Sequence, residues 1–234
     1  MTAEAGFVGK LGALARKDLR LESRGRDTLP PMLAFSFAVV IVLAFTLPAG
    51  GEMERVARVD VLAGFLWITV LFAGLIGFAR TFEVEREEGA LDILLLVPID
   101  RSGLYIAKAT ANFVFVVLTQ VFLVPAFVLL FDLDVGGDWW ALALVILLAD
   151  LGFALVGTLF SSIAAHTRSR ELVLPILALP ALVPVFIAAT ELTSDLFLGA
   201  GLELVAQRGW FGVLVAFDAL LAIVGSLLFE FAVD

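Results

Sequence analysis

The run WWALALVILLADLGFALVGTLFSSIAA, from Trp139 to Ala165, decides what kind of protein this is. A single charged side chain, Asp150, interrupts it. As a helix rising about 1.5 Å per residue the run reaches about 40 Å, more than the ~30 Å hydrocarbon core of a bilayer. Once charges serve as punctuation, five further runs read the same way, 31–47, 61–79, 109–131, 172–190 and 210–229, with 139–165 fourth in chain order. None alternates polar and apolar residues as a barrel strand does, and in lipid only helices or closed barrels satisfy every backbone group. The expected fold class is an all-α integral membrane protein with six transmembrane helices, built as one domain over residues 1–234.

Composition points the same way. Hydrophobic residues make up 62% of the 234, charged residues only 17%, and mean hydropathy is +1.07. Soluble domains run nearer to about 45–50% apolar and about 25% charged, and they lack the interior to hide such an excess. A net charge of −9 and a pI near 4.6 leave no basic surface for phosphates, which excludes nucleic acid as a partner. Cysteine is absent, so disulfides, thiolate metal sites and cysteine catalysis are excluded together. One histidine, His166, cannot build a His-rich metal centre or a bis-His haem pocket within one chain, and no metal site is expected. The uncharged stretch from Thr28 to Gly51 exceeds the ~7–15 residues of a signal-peptide core, which reads as a retained first span.

Orientation follows from Lys and Arg. With the N-terminus inside, twelve of the 15 basic residues fall on the cytoplasmic side (Lys10 to Arg26, Arg80 to Lys108, Arg168 and Arg170), against Arg55, Arg58 and Arg208 outside. The positive-inside rule counts basic residues only, so the acidic net charge leaves it intact, and both termini are expected in the cytoplasm. Within residues 1–30, Phe7, Leu11, Leu14 and Leu21 form an apolar stripe broken by Asp18, with Lys10, Lys17, Arg20 and Arg24 largely off it. That pattern predicts an interfacial helix lying against the lipids of the inner leaflet, or an amphipathic helix packed on protein; Pro30 and Pro31 separate it from the first span. The outer segment 191–209 is too polar for a seventh span and predicts one or two short helices. Trp139, Trp140 and Trp210 fall where interfacial Trp residues hold helices in place, and Pro175, Pro180 and Pro184 predict a bent fifth span.

Between the second and third spans lies EVEREEGALDILLLVPIDRSGLYIAK, Glu83 to Lys108. Acids crowd its start, Leu91 to Val97 is apolar but too short to span, and Pro98 stops the helix. Read from residues alone, this is either a surface-parallel helix that invites a protein partner or a solvated charged loop. The run E-x-E-x-E-E-G-A-L-D-x-L-L-L-x-P-x-D-R-S, followed by Lys108 and Asn112, resembles the cytochrome c maturation protein B family (CcmB, haem exporter protein B). A second stretch, LVGTLFSSIAAHTRSRELVLPILALPALVPVFIAAT from Leu155 to Thr190, is similar to the same family in its G-T-L-F, its T-R-x-R-E loop and its Leu/Pro-rich fifth span.

The resemblance implies an exporter permease of ABC-2-type architecture in the bacterial inner (cytoplasmic) membrane. It implies pairing with a separate ATPase, cytochrome c maturation protein A, as two permeases and two ATPases, and meetings with proteins C and D and the haem chaperone E. It implies ATP hydrolysis on the partner serving haem export or release of the haem-loaded chaperone, with haem as the transported ligand. It also implies that the cytoplasmic segment 83–102 couples to the ATPase, through Glu83, Glu85, Arg86, Glu87, Glu88, Gly89, Leu91, Asp92, Leu95 and Pro98. The alternatives are an exporter of another amphiphile, a lipid or drug, and a scaffold that only transmits conformational change.

No G-x-x-x-x-G-K-[ST], HExxH or Ser–His–Asp pattern occurs, so no catalytic residue is expected and any ATPase is another polypeptide. Two acids sit inside spans, Asp150 and Asp218, and Gln120 reaches a similar level on the third. An Asp at mid-bilayer costs roughly 2.5–3.5 kcal/mol on insertion scales, which turns it toward protein or water. Gln120, Asp150 and Asp218 are therefore read either as an intramembrane polar path or as a structural hydrogen-bond cluster.

Overall fold

The computed structural model describes residues 12–13, 16–17, 19–20, 27–47, 54–81, 101–165, 167 and 170–232. Its elements are α1 (Leu29–Thr46), α2 (Arg55–Phe78), α3 (Arg101–Phe131), α4 (Trp139–Ala165), α5 (Arg170–Phe197), the short α6 (Leu202–Gln207) and α7 (Gly209–Ala232). No strand occurs among the described residues. All but α6 are long and apolar enough to cross a membrane, which makes six such helices and a multi-pass membrane protein. Of the expected N-terminal helix, Gly12, Ala13, Arg16, Lys17, Leu19 and Arg20 are described and helical; the remainder lies outside the described residues.

Helix α4 spans the residues its sequence marks out, whereas three neighbours run longer than charge punctuation implies. Helix α3 starts at Arg101 instead of residue 109, because buried Lys108 is not a boundary: its Nζ donates to the Thr81 carbonyl at 3.3 Å. Helix α2 starts at Arg55, and Arg58 donates to the Phe131 carbonyl at 3.3 Å, a cation on the exposed carbonyls that close α3. Helix α5 continues past residue 190 to Phe197, where Thr193, Ser194 and Asp195 find protein partners. Trp67 Nε1 donates to Thr193 Oγ1 at 3.0 Å, Ser194 Oγ donates to Asp60, and Arg208 pairs with Asp195 at 2.9 Å. The segment expected as an outer loop is thus the end of α5, a turn, and α6.

Prolines punctuate without breaking. Pro30 and Pro31 occupy the first turn of α1, where no intrahelical donor is needed. Pro125 lies within α3, and Pro175, Pro180 and Pro184 all lie within α5. The turn from α3 to α4 uses Asp132 at φ 53°, Gly136 at 58° and Gly137 at 87°, with Asp134 Oδ1 accepting the Gly136 N–H at 2.8 Å. Positive φ at two consecutive positions is what glycine supplies without steric cost.

Helix α4 is the axis of the bundle, packed on α3, α5 and α7. Of its most apolar window 72% is buried, against 22% for α1 and 17% for α7. Those two peripheral helices leave Phe37, Ile41 and Phe45, and Leu220, Ile223 and Leu227, on the outside, the lipid side of such a bundle. Helices α2 and α4 meet by a reciprocal exchange of glycine for phenylalanine. A Cβ built at Gly74 would fall on the ring of Phe153, and one at Gly157 on the ring of Phe78. The two rings meet edge-on at 4.7 Å, and Phe153 continues through Phe186 at 5.2 Å to Trp67 at 5.8 Å. In lipid, where helix association gains little from the hydrophobic effect, such close approach at small residues is what holds helices together.

Candidate functional site: polar groups within the helical bundle

Three polar groupings interrupt the apolar interior. The first lies part-way along the spans. Asp150 stands about 16 Å from the start of α4 and Asp218 about 14 Å from the start of α7, taking about 1.5 Å per residue. Gln120 of α3 is buried beside Asp150, and its Nε2 donates to Asp150 Oδ1. Asp150 Oδ2 and Gln120 Oε1 have no hydrogen-bond partner among the described residues.

Asp218 does not join them. It is buried on the far side of α4, where a Cβ at Gly152 would lie 2.5 Å from its Oδ1 and 3.4 Å from Val185 of α5. At about 100° per residue, positions 150 and 152 face roughly 160° apart around α4, which puts the helix between the two acids. Both Asp218 carboxyl oxygens lack a partner among the described residues. The structure therefore brings together Gln120 and Asp150, and sets Asp218 apart at a similar depth in a cleft that exists because residue 152 is glycine.

The second grouping lies where α2 ends, about 10–16 Å along α3 from its start at Arg101. Asn112 is buried and uses both ends of its amide: Thr81 Oγ1 donates to its Oδ1 at 3.0 Å, and its Nδ2 donates to Thr158 Oγ1 at 2.8 Å. Lys108 adds its bond to the Thr81 carbonyl. One turn earlier, Tyr105 donates to the Leu155 carbonyl at 3.0 Å and fills the space that Gly225 of α7 leaves open. Lys108 and Asn112 come from one stretch carrying the family resemblance and Thr158 from the other, and here the two stretches touch. Sequence reasoning did not place these residues in a site; the signal available was a Lys and an Asn inside an otherwise apolar helix, each of which must find a partner there.

The third grouping, at the opposite end, joins Asp60, Trp67, Thr193, Ser194, Asp195 and Arg208 through the bonds that extend α5. Trp139 and Trp140 stand 51% and 58% exposed at this end, open to the surrounding medium. The candidate coupling residues Glu83, Glu85, Arg86, Glu87, Glu88, Gly89, Leu91, Asp92, Leu95 and Pro98 lie outside the described residues, as does His166. Among the described residues no group of His, Asp and Glu could hold a metal ion.

A family model described as CcmB protein matches residues 10–234 of this chain. Heme exporter protein B of Rhodobacter capsulatus is 33% identical over 181 residues, covering 77% of this chain and 80% of that protein. The protein of the same name from Paracoccus denitrificans is 31% identical over 180 residues, 76% of this chain and 80% of its own length. That of Haemophilus influenzae is 26% identical over 179 residues, 76% and 78% of the two chains.

Proposed function

This chain belongs to the CcmB protein family, and from that premise we propose that it is the permease subunit of a haem export complex serving cytochrome c maturation. The observation that carries the reading is the extent of the match, residues 10–234, and not any single motif. Six helices able to cross a membrane around one buried axis supply the body such a subunit needs.

The subunit sits in the bacterial inner membrane with both termini in the cytoplasm, in keeping with the placement of twelve of its 15 basic residues. It carries no phosphate-binding loop in its sequence, so ATP is bound and hydrolysed by a separate chain, cytochrome c maturation protein A, in a complex of two permeases and two ATPases. The acidic-then-apolar segment 83–102 is where that ATPase docks. Its cycle drives haem across the bundle or frees the haem-loaded chaperone, protein E, on the far side, with proteins C and D in the assembly. Gln120, Asp150 and Asp218 are the polar groups assigned to passage through the membrane. In support, four of their side-chain oxygens lack a partner among the described residues, at a depth where apolar side chains dominate.

The test is charge inversion at the docking segment. Glu87→Lys combined with Glu88→Lys should abolish co-purification with the ATPase and stop cytochrome c maturation, while the permease still inserts. Undiminished recovery of the ATPase together with undiminished stimulation of its hydrolysis would remove the docking assignment. An adjacent ATPase that exports lipid or drug, with haem attachment unaffected by deleting this chain, would replace haem by another amphiphile.

A further inference from the structure

We propose that Thr81, Asn112 and Thr158 form a transmission knot, a set of positioning residues that makes α4 follow the two ends of the 83–102 segment. The inference rests on the docking role of that segment given above. The 83–102 segment is joined covalently to α2 through Thr81 and to α3 at Arg101, so a push on it is felt at the end of α2 and the start of α3. Where α2 ends, about three turns into α3, one buried amide bridges both helices to a third, with Thr81 Oγ1 donating to Asn112 at 3.0 Å and Asn112 donating to Thr158 of α4 at 2.8 Å.

Two features make the link stiff. Lys108 holds the Thr81 carbonyl at 3.3 Å, so the main chain at residue 81 is fixed as well as its hydroxyl. Immediately beside the knot, Phe78 seats on Gly157 and Phe153 on Gly74, which allows α2 no sliding along α4 without a ring meeting backbone. Packed elements with interlocked side chains shift as units between discrete arrangements and do not deform smoothly. Helix α4 also carries Asp150, bonded to Gln120, and Gly152, which makes room for Asp218. Movement of its lower turns is therefore delivered to all three polar groups within the bundle. Thr158 is fully buried, and its hydroxyl accepts the Asn112 amide bond at 2.8 Å.

The experiment replaces Thr81 and Thr158 by Val, singly and together, in the full chain expressed with its ATPase. Valine keeps the shape and removes the hydroxyl on either side of Asn112. Expected are normal permease levels, unchanged recovery of the ATPase and unchanged ATP hydrolysis, with cytochrome c maturation in the double variant lowered about sevenfold. A sevenfold loss corresponds to about 1.2 kcal/mol of coupling, at about 1.4 kcal/mol per factor of ten. Thr158→Ser, which restores the hydroxyl, should recover maturation. Normal maturation in the double variant overturns the proposal. So does a loss that merely tracks lower permease levels, or a loss of ATPase recovery, since the knot would then serve folding or docking. Failure of the unaltered chain to recover the ATPase would instead remove the docking reading itself, and it is seen before any variant is compared.

Discussion

Replacing Asp150 separates packing from chemistry within the bundle more cleanly than any other change. The side chain is fully buried and receives one hydrogen bond, from Gln120 Nε2, while its second oxygen has no partner among the described residues. Asp150→Asn keeps the volume and an acceptor oxygen for Gln120, and removes the carboxyl. Asp150→Leu removes the acceptor too, leaving the buried Gln120 amide without its bond. Interhelical hydrogen bonds within membranes average about 0.6 kcal/mol and reach about 1.7 kcal/mol. The Leu variant should therefore lose about 0.6–1.7 kcal/mol of bundle stability, measured as a lowered midpoint of SDS-induced unfolding in mixed micelles. The Asn variant should lose less than about 0.5 kcal/mol, the usual scale for changes that keep their partners. Cytochrome c maturation, followed by haem staining of cellular c-type cytochromes, should nevertheless fall in both variants if the carboxyl serves passage. Full maturation in the Asn variant would refute the functional assignment. Equal destabilisation by Asn and Leu would refute the claim that the Gln120 bond is what the side chain contributes to stability.

Gly157→Ala puts a methyl group onto Cδ2 and Cε2 of Phe78, and overpacking of this kind costs about 1–3 kcal/mol. It should lower the SDS unfolding midpoint, Phe78→Leu in the same chain should restore part of the loss, and an unchanged midpoint for Gly157→Ala would contradict the α2–α4 contact. The absence of native cysteine makes topology directly measurable. In intact cells Asp134→Cys and Glu203→Cys, both at exposed positions, should react with an impermeant thiol reagent while Ser102→Cys should not; labelling at 102 would reverse the orientation.

How far the sequence carried the fold can be seen at the helix ends. The fourth span was legible to the residue because its flanks, Asp138 before and His166 after, are polar and its interior holds one acid. The starts of α2 and α3 and the end of α5 were not. Treating every charge as a boundary assumes that a charge ends the helix at water; Lys108 instead faces the Thr81 carbonyl and Asp60 accepts from Ser194, while exposed Glu191 leaves α5 uninterrupted. Each such charge lies within about two turns of a helix end, where helix-end carbonyls and neighbouring chains can satisfy it.

The candidate site shows a different limit. Counting residues along each span put Gln120, Asp150 and Asp218 at one level, and depth is all that such counting yields, because rise per residue is fixed for a helix. The direction in which each side chain points depends on how the helices are rotated against one another, and that is set by small residues at their contacts. Gly74 and Gly157 bring α2 onto α4 with Asn112 within reach of Thr158; Gly152 opens the space that Asp218 enters from the opposite side. None of these glycines sits at a turn or carries a positive φ. In a bundle whose surface and interior are equally apolar, position in the sequence locates the polar groups, and glycine decides which of them meet.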